Sequence, residues 1–442
     1  MKITGYTPLP PTEESRIDRE ELSTEDPPDA ASMQRASLSF LVSEEKASIA
    51  NPSCLDAFNL GPAWDYIKDH NTSADHFAKQ ILERRQEIAE QKKEWTPYTQ
   101  QTKNPFFFCS IEQALNTGYL EPSKEGCGGA YVLYNEEHKP LFIIKPVDEE
   151  ILCLNNRKSF ASPFIDPSFR ARDDIPLYRS AQTDLVCYEV AKLIGIEGIT
   201  PKADIHILTS SVFYDISSAC QADTHPLKDK VGIADNEKLC SVQEYIPDTF
   251  PMSHQIYQWL SQGYPPARML DLLDPGDFED ANLLVWMTYD TDAHPGNFLL
   301  SKKPCAPGEN SLFHIKKIDN SLSFPEKHSQ FMNFLMFLDV EKKPLSAALR
   351  DKIRIVPIEQ ITSCMGKTGM SMASIISFVE RAHVIKGLAI RPLISIYEMN
   401  LRLSLLSSLS NGMEISLSDR SLEELEVFLQ RPYVPELTDP SS

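Results

Sequence analysis

The feature that most narrows the folds open to this chain is a change of texture along it. Between Tyr119 and Ile246 the apolar residues come in short runs: AYVLY (130–134), LFIIK (141–145), ADIHIL (203–208), SVFYDI (211–216) and CSVQEYI (240–246), bounded by Gly, Pro, Asn or Asp. Runs of that length between turn formers predict β-strands. One stretch interrupts them, Ala181 to Ile194, where Leu185, Val186, Val190 and Leu193 recur at helical spacing. After Pro251 the periodicity is mainly helical, through Ala281 to Tyr289 and in segments from about Leu345 to Leu429. No internal repeat is visible. The order predicts an α+β fold: an antiparallel β lobe with one main helix, then a larger, mostly helical lobe.

The flanks read differently. Residues 1–50 set Pro8, Pro10, Pro11, Pro27 and Pro28 among Ser, Thr, Glu and Asp, a composition that buries too little apolar surface to offset ordering entropy. They are expected to be a flexible tail, with a partner-binding or export segment as the sharper alternative. Residues 51–105 form a helical N-terminal extension around ADHFAKQILERRQEIAEQKK (74–93), rich in helix formers and free of Gly and Pro. The expected division continues with a β lobe and hinge at 106–246, a helical lobe at 247–432 and a C-terminal tail at 433–442.

Charge and composition exclude several classes. Lys and Arg number 43 against 63 Asp and Glu, a sum of 43 − 63 = −20, so the long-range field repels phosphate backbones and anionic headgroups unless a local basic patch reverses it. No nucleic-acid partner is expected. The longest apolar runs, such as Ala281 to Met287, fall far short of a membrane span, and the first thirty residues carry prolines and acids rather than a secretory signal. Nine cysteines, Cys54, Cys109, Cys153, Cys187 and Cys364 among them, are scattered with no C-x-x-C pair, which suits reduced thiols. The expected compartment is cytoplasmic, with peripheral membrane contact or a non-standard export route left open.

Three groups of residues can carry chemistry. Gly126, Gly128, Gly129 and Ala130 precede a predicted strand, where missing side chains let backbone N–H groups approach a phosphate; alone, such a cluster is as well explained by a turn. On the next strand Lys145, with apolar neighbours, can reach those phosphates or simply extend its charge from an edge. Glu189, on the one helix of the β region, is its candidate partner, or else a solvated helix charge. Most specific is Asp292-Ala293-His294-Pro295-Gly296-Asn297, followed by a strand and, further on, by Asp319-Asn320. An Asp five positions before an Asn matches a kinase catalytic loop, in which the carboxylate orients the acceptor hydroxyl and the amide ligates Mg²⁺; the later Asp supplies the main metal carboxylate. Hard Mg²⁺ takes such oxygen donors together with nucleotide phosphates. The order of these parts along the chain is what phosphoryl transfer requires.

On these residues the sequence resembles the phosphatidylinositol 3/4-kinase superfamily, most closely type II phosphatidylinositol 4-kinase-like proteins. The resemblance runs through GCGGAYVLYNEEHKPLFIIKPVDEE (126–150), CYEVAKLIGI (187–196), VQEYI (242–246), TDAHPGNFLL (291–300) and IDNSLSFPEKH (318–328). It implies a bilobal protein-kinase-like fold with ATP between the lobes and Val242 to Ile246 as the hinge, so that Gln243, Glu244, Tyr245 and Ile246 join the ATP-binding residues. Lys145 would hold the phosphates with Glu189 as partner, Asp292 would be the catalytic carboxylate, and Asn297 and Asp319 the Mg ligands. The implied activity transfers the ATP γ-phosphate to phosphatidylinositol. Alternatives are a protein Ser/Thr acceptor, or a pseudokinase-like nucleotide-binding module. Three departures from the family pattern stand out: Cys127 among the glycines, Ala293 where relatives often carry Arg, and Ser321 in place of a glycine.

Overall fold

The computed structural model describes residues 74–101, 105–126, 128–151, 153, 155–158, 174–219, 236–302, 312–328, 331 and 333–412. The expected tail at 1–50, Cys127 and the segment 413–442 lie outside the described residues. A long helix α1 (Ala74–Gln101) and α2 (Pro105–Thr117) lead into a five-stranded antiparallel sheet. Its strands are β1 (Tyr119–Pro122), β2 (Tyr131–Tyr134), β3 (Pro140–Pro146), β4 (Ala203–Thr209) and β5 (Glu237–Glu244), in the order β1-β2-β3-β5-β4. The helix α3 (Ser180–Leu193) falls between β3 and β4 in sequence.

Local chemistry explains these elements. The β2–β3 hairpin closes because the Asn135 side chain accepts from the N–H groups of Glu137 (3.0 Å) and Lys139 (2.9 Å), fixing the turn without a glycine. Strand alternation then splits the sheet into two faces. Tyr131, Leu133, Phe142, Ile144, Cys240 and Val242 pack with Ile111 and Ala114 of α2 in one core. Lys145 points the other way, toward α3. Each fully buried aliphatic or aromatic side chain in such a core contributes about 1.5–3 kcal/mol of transfer free energy.

The run SVFYDI (211–216), expected as a strand, is a turn leading into a short helix at Ile216–Ala219. Its backbone is satisfied by side chains instead of a ladder: Tyr214 N–H donates to the Tyr131 hydroxyl (3.0 Å) and Ile216 N–H to Asn155 Oδ1 (3.0 Å). Composition favoured a strand, and local polar capture decided otherwise.

Beyond β5 the second lobe begins with β6 (Phe250–Pro251) and α4 (Met252–Ser261), and is built around α5 (Pro275–Thr288). Asp274 caps α5, accepting from Gly276 N–H (3.0 Å) and Asp277 N–H (3.1 Å), and Pro275 occupies the first turn. From Ala281 to Thr288 every residue of α5 is buried, so it is the central post of the lobe. Tyr289 ends it in the left-handed conformation (φ 47°). The hairpin β7 (Phe298–Lys302) and β8 (Phe313–Lys317) follows, then α6 (Ala347–Ile355), α7 (Ile358–Lys367), α8 (Met372–Ala389) and α9 (Ile396–Gly412). The α+β arrangement expected from the sequence, an antiparallel β lobe with one main helix followed by a larger, mostly helical lobe, is borne out. Among the described residues, no helix is long and apolar enough to cross a membrane.

Candidate active site

The loop that leaves α5 is anchored from below by a buried ion pair. Asp290 faces Lys317 of β8 at 2.6 Å, and the other Asp290 oxygen accepts from Asp292 N–H at 2.8 Å. Thr291 adds two bonds to the Leu322 carbonyl, so the loop and the segment after β8 are fixed to each other. Asn297 donates through Nδ2 to the Asp292 carbonyl (2.8 Å) and, more weakly, to Asp292 Oδ2 (3.4 Å). The spacing of five residues thus closes a ring in which the amide sets the orientation of the carboxylate.

Lys145 spans the lobes. Its Nζ lies 2.9 Å from Asp319 Oδ1, just past the end of β8, and 3.6 Å from Asp184 Oδ2 on α3. The Asp319 side chain is 45% exposed, while Asp184 is sealed beneath it. The nearby Lys145 ammonium outweighs burial and holds the Asp319 carboxyl well below the usual carboxylate range. Burial pushes the Asp184 carboxyl up, against the pull of Lys145. Ser241 Oγ donates to Asp184 (3.0 Å) and Ser321 Oγ to Asp319 Oδ1 (3.0 Å). The departure at Ser321 therefore adds a brace on the Asp319 carboxylate.

Glu189 does not partner Lys145. It pairs instead with Lys192 of its own helix at 3.4 Å. The reason is helical geometry: five residues separate 184 from 189, which turns the side chain about 140° around the axis. Asp184 shares a stripe with the buried Ser180, Cys187 and Ala191, of which Cys187 and Ala191 join the core of the second lobe, and Glu189 lies off it. An acid in register with small buried residues was the signal available in the sequence.

Two further expectations change. Gly129 N–H donates to the Glu149 carbonyl (2.7 Å), and a Cβ there would meet the Glu149 side chain at 2.5 Å, so this glycine serves close packing rather than phosphate contact. Gly126 takes a positive φ (72°) and Gly128 is open, with Lys158 Nζ holding the Gly126 carbonyl at 2.9 Å. In the hinge segment, Glu244 N–H bonds Lys202 and Tyr245 N–H bonds Leu141 (both 2.9 Å), and the buried Gln243 side chain turns to Ser241 (3.3 Å). An adenine would have to use other main-chain groups near Tyr245 and Ile246. Ala293 is fully buried and its carbonyl accepts from Phe334 N–H (2.9 Å), so it packs rather than facing an acceptor.

Sequence reasoning missed a second cluster. Lys238 of β5 lies 2.8 Å from Asp148 and 3.0 Å from Glu149, with the Tyr131 hydroxyl donating to Glu149 (2.7 Å) and Asn155 to Asp148 (2.6 Å). The next residue, Glu150, accepts from Tyr178 N–H and Ser180 N–H (both 2.9 Å) and so caps α3. Burial pushes both Glu149 and Glu150 up to about 7.

Among the described residues, no group of three or more His, Cys, Asp and Glu forms a protein-only metal cage. Asp319 and Asn297 are hard oxygen donors, a set that fits Mg²⁺ sharing its remaining positions with phosphates and water.

Two curated relatives carry detectable similarity, both from Arabidopsis thaliana. Phosphatidylinositol 4-kinase gamma 6 is 26% identical over 211 residues, 46% of this chain and 30% of that protein; phosphatidylinositol 4-kinase gamma 1 is 26% identical over 204 residues, 46% of this chain and 31% of that protein. The chain is thus similar to kinases of the phosphatidylinositol 4-kinase type, and spans under a third of the length of the relatives it matches. No family model matches it. Solved structures overlay loosely: a Golgi casein kinase (9% identical, 70% of this chain and 78% of that one, TM-score 0.37) and the Helicobacter pylori proinflammatory kinase CtkA (10%, 65% and 96%, TM-score 0.32).

Proposed function

We propose that this chain is an ATP- and Mg-dependent phosphotransferase whose acceptor is a hydroxyl of phosphatidylinositol. The observation that carries the reading is the Lys145–Asp319 pair across the two lobes, with Asp292 and Asn297 locked together on the adjoining loop. The names of the two plant relatives support the lipid acceptor. Mg²⁺ held by Asp319 and Asn297 would neutralise charge on the phosphates. Lys145, kept in place by Asp184, binds the phosphates as a point charge, while Ser321 keeps Asp319 aimed at the cleft. Asp292, oriented by Asn297, holds the acceptor hydroxyl. As that oxygen bonds to the γ-phosphorus, the bond to the β–γ bridging oxygen breaks, ADP leaves and the hydroxyl proton passes to Asp292.

The test is incubation of the whole chain with γ-labelled ATP and Mg²⁺, offered phosphatidylinositol vesicles or a protein extract in parallel. Label in lipid is expected. Label in protein alone would favour the Ser/Thr acceptor, a reading that the net charge of −20 supports. No turnover of ATP in either arm would sink both. Asp292→Asn should lower kcat by on the order of 10²-fold while Mg·ATP affinity, measured by calorimetry, changes less than about tenfold.

A further inference from the structure

Three of the four most exposed large apolar side chains of the described residues sit at one tip of the helical lobe. Ile355 (66% exposed) ends α6, and Ile390 (80%) and Leu393 (79%) lie in the loop after α8. The two segments are tied together. Lys386 Nζ donates to the Val356 carbonyl (2.8 Å), and Arg350 donates to the carbonyls of Ala389, Arg391 (2.6 Å) and Pro392 (3.0 Å). Beneath them Leu349, Ile353, Leu388 and Ile394 are buried, so the core is filled and the loop is held with its apolar residues outward.

The same tip reverses the sign of the protein's charge. Residues 350–356 and 383–394 contain Arg350, Lys352, Arg354, Lys386 and Arg391 against one acid, Asp351: 5 − 1 = +4 in a chain of −20. Lys352 also faces Asp280 of α5, and counting that acid leaves 5 − 2 = +3. Arg354 pairs with Asp351 at the surface (2.9 Å), an arrangement that costs little to exchange for another anion.

Outward aliphatic side chains on segments with a net positive charge match one kind of partner, a bilayer with anionic headgroups: the excess charge meets the surface potential and the apolar groups enter the headgroup boundary. A second copy of the chain fits poorly, because a two-fold contact through this tip would set its positive charge against itself. We propose that this tip docks the protein on an anionic lipid surface. The proposal rests on the lipid-acceptor reading for its purpose, and on none of the cleft residues for its geometry.

The test uses the whole chain, without ATP or phosphatidylinositol, sedimented with vesicles of phosphatidylcholine containing phosphatidylserine and with phosphatidylcholine alone. The wild type should partition at least about tenfold more into the anionic vesicles, an advantage lost in high salt. The double variant Ile390→Asp, Leu393→Asp and, separately, Arg391→Glu should each lower that partitioning about tenfold or more with an unchanged melting temperature. Met372→Asp, at the opposite end of α8, should not. Equal binding to both vesicle types, or wild-type binding by the tip variants, overturns the proposal; so does a dimer that the double variant dissociates while vesicle binding persists. Should phosphatidylinositol fail as an acceptor while the tip variants still lose vesicle binding, the cleft reading falls and the docking surface stands.

Discussion

Lys145, half-buried, and Lys238, fully buried, stand on adjacent strands of one sheet, and each faces two carboxylates. Burial works against both charges, yet in each case the two acids hold the ammonium above the ordinary lysine range. The difference lies in where the partners come from and what covers them. Lys238 takes Asp148 and Glu149 from a single turn and is sealed from solvent. Lys145 takes Asp184 from a helix and Asp319 from the other lobe, 174 residues away, and remains 17% exposed. One cluster can only hold the sheet together. The other is open to exchange a carboxylate contact for the phosphate of the proposed function, because the Asp319 side chain is 45% exposed. The same interaction serves structure or chemistry according to solvent access and the origin of its partners.

The strongest test of this contrast is a pair of substitutions. Lys238→Met should cost about 3–5 kcal/mol in urea unfolding, since even with Glu149 protonated it leaves Asp148 buried without a cation. Lys145→Met should cost only about 1 kcal/mol, because Asp184 takes up a proton and keeps its Ser241 bond, yet phosphotransfer should be lost. Equal destabilisation by both would erase the distinction. Next in size, Asp184→Asn should reduce turnover on the order of tenfold by loosening Lys145, whereas Glu189→Gln should leave kcat and KM unchanged.

Burial places the Glu149 carboxyl near 7 in the folded state, against about 4.3 unfolded, so folding takes up a proton between those values. The stability tied to it is fully present below about pH 4, declines as pH rises and is gone above about 7. Unfolding of the wild type minus that of Glu149→Gln should follow that slope; substituting Asp319 should leave the same window flat. The smallest effect belongs to Ser321→Gly, which removes one hydrogen bond to a carboxylate and should cost about 0.5–1.5 kcal/mol by thermal unfolding.

Much of the arrangement was legible because the sequence states it locally. The hairpin is written in Asn135 and the alternation of YVLY with LFIIK, and α5 in its Asp-Pro start and unbroken apolar run. Lys145, Asp292, Asn297 and Asp319 stood out by residue type and spacing. What stayed hidden is tertiary. Lys238 reads as a polar residue at a strand entrance, and only the turn at 147–149 folding over it makes it interior. Glu189 was the expected partner and Asp184 is the observed one, because sequence shows that a helix carries an acid before it shows which way that helix faces.

The run Asp148-Glu149-Glu150 has a consequence for how this region tolerates change. Each acid is committed to a different part of the lobe: Asp148 to β5, Glu149 to β2 and β5, and Glu150 to the start of α3. A single added or deleted residue between Lys145 and Glu150 would misplace all three commitments together with the lysine. Point changes there have graded costs, whereas a change of length has none that neighbouring residues can absorb. By contrast the hairpin tip at Glu136 to His138 is exposed, and beyond its own turn bonds it is held by the Tyr119 hydroxyl at His138 Nδ1 (2.8 Å). An insertion there should be accepted, so a scan of one-residue insertions along 130–155 ought to show a sharp gap in viability bounded by Lys145 and Glu150.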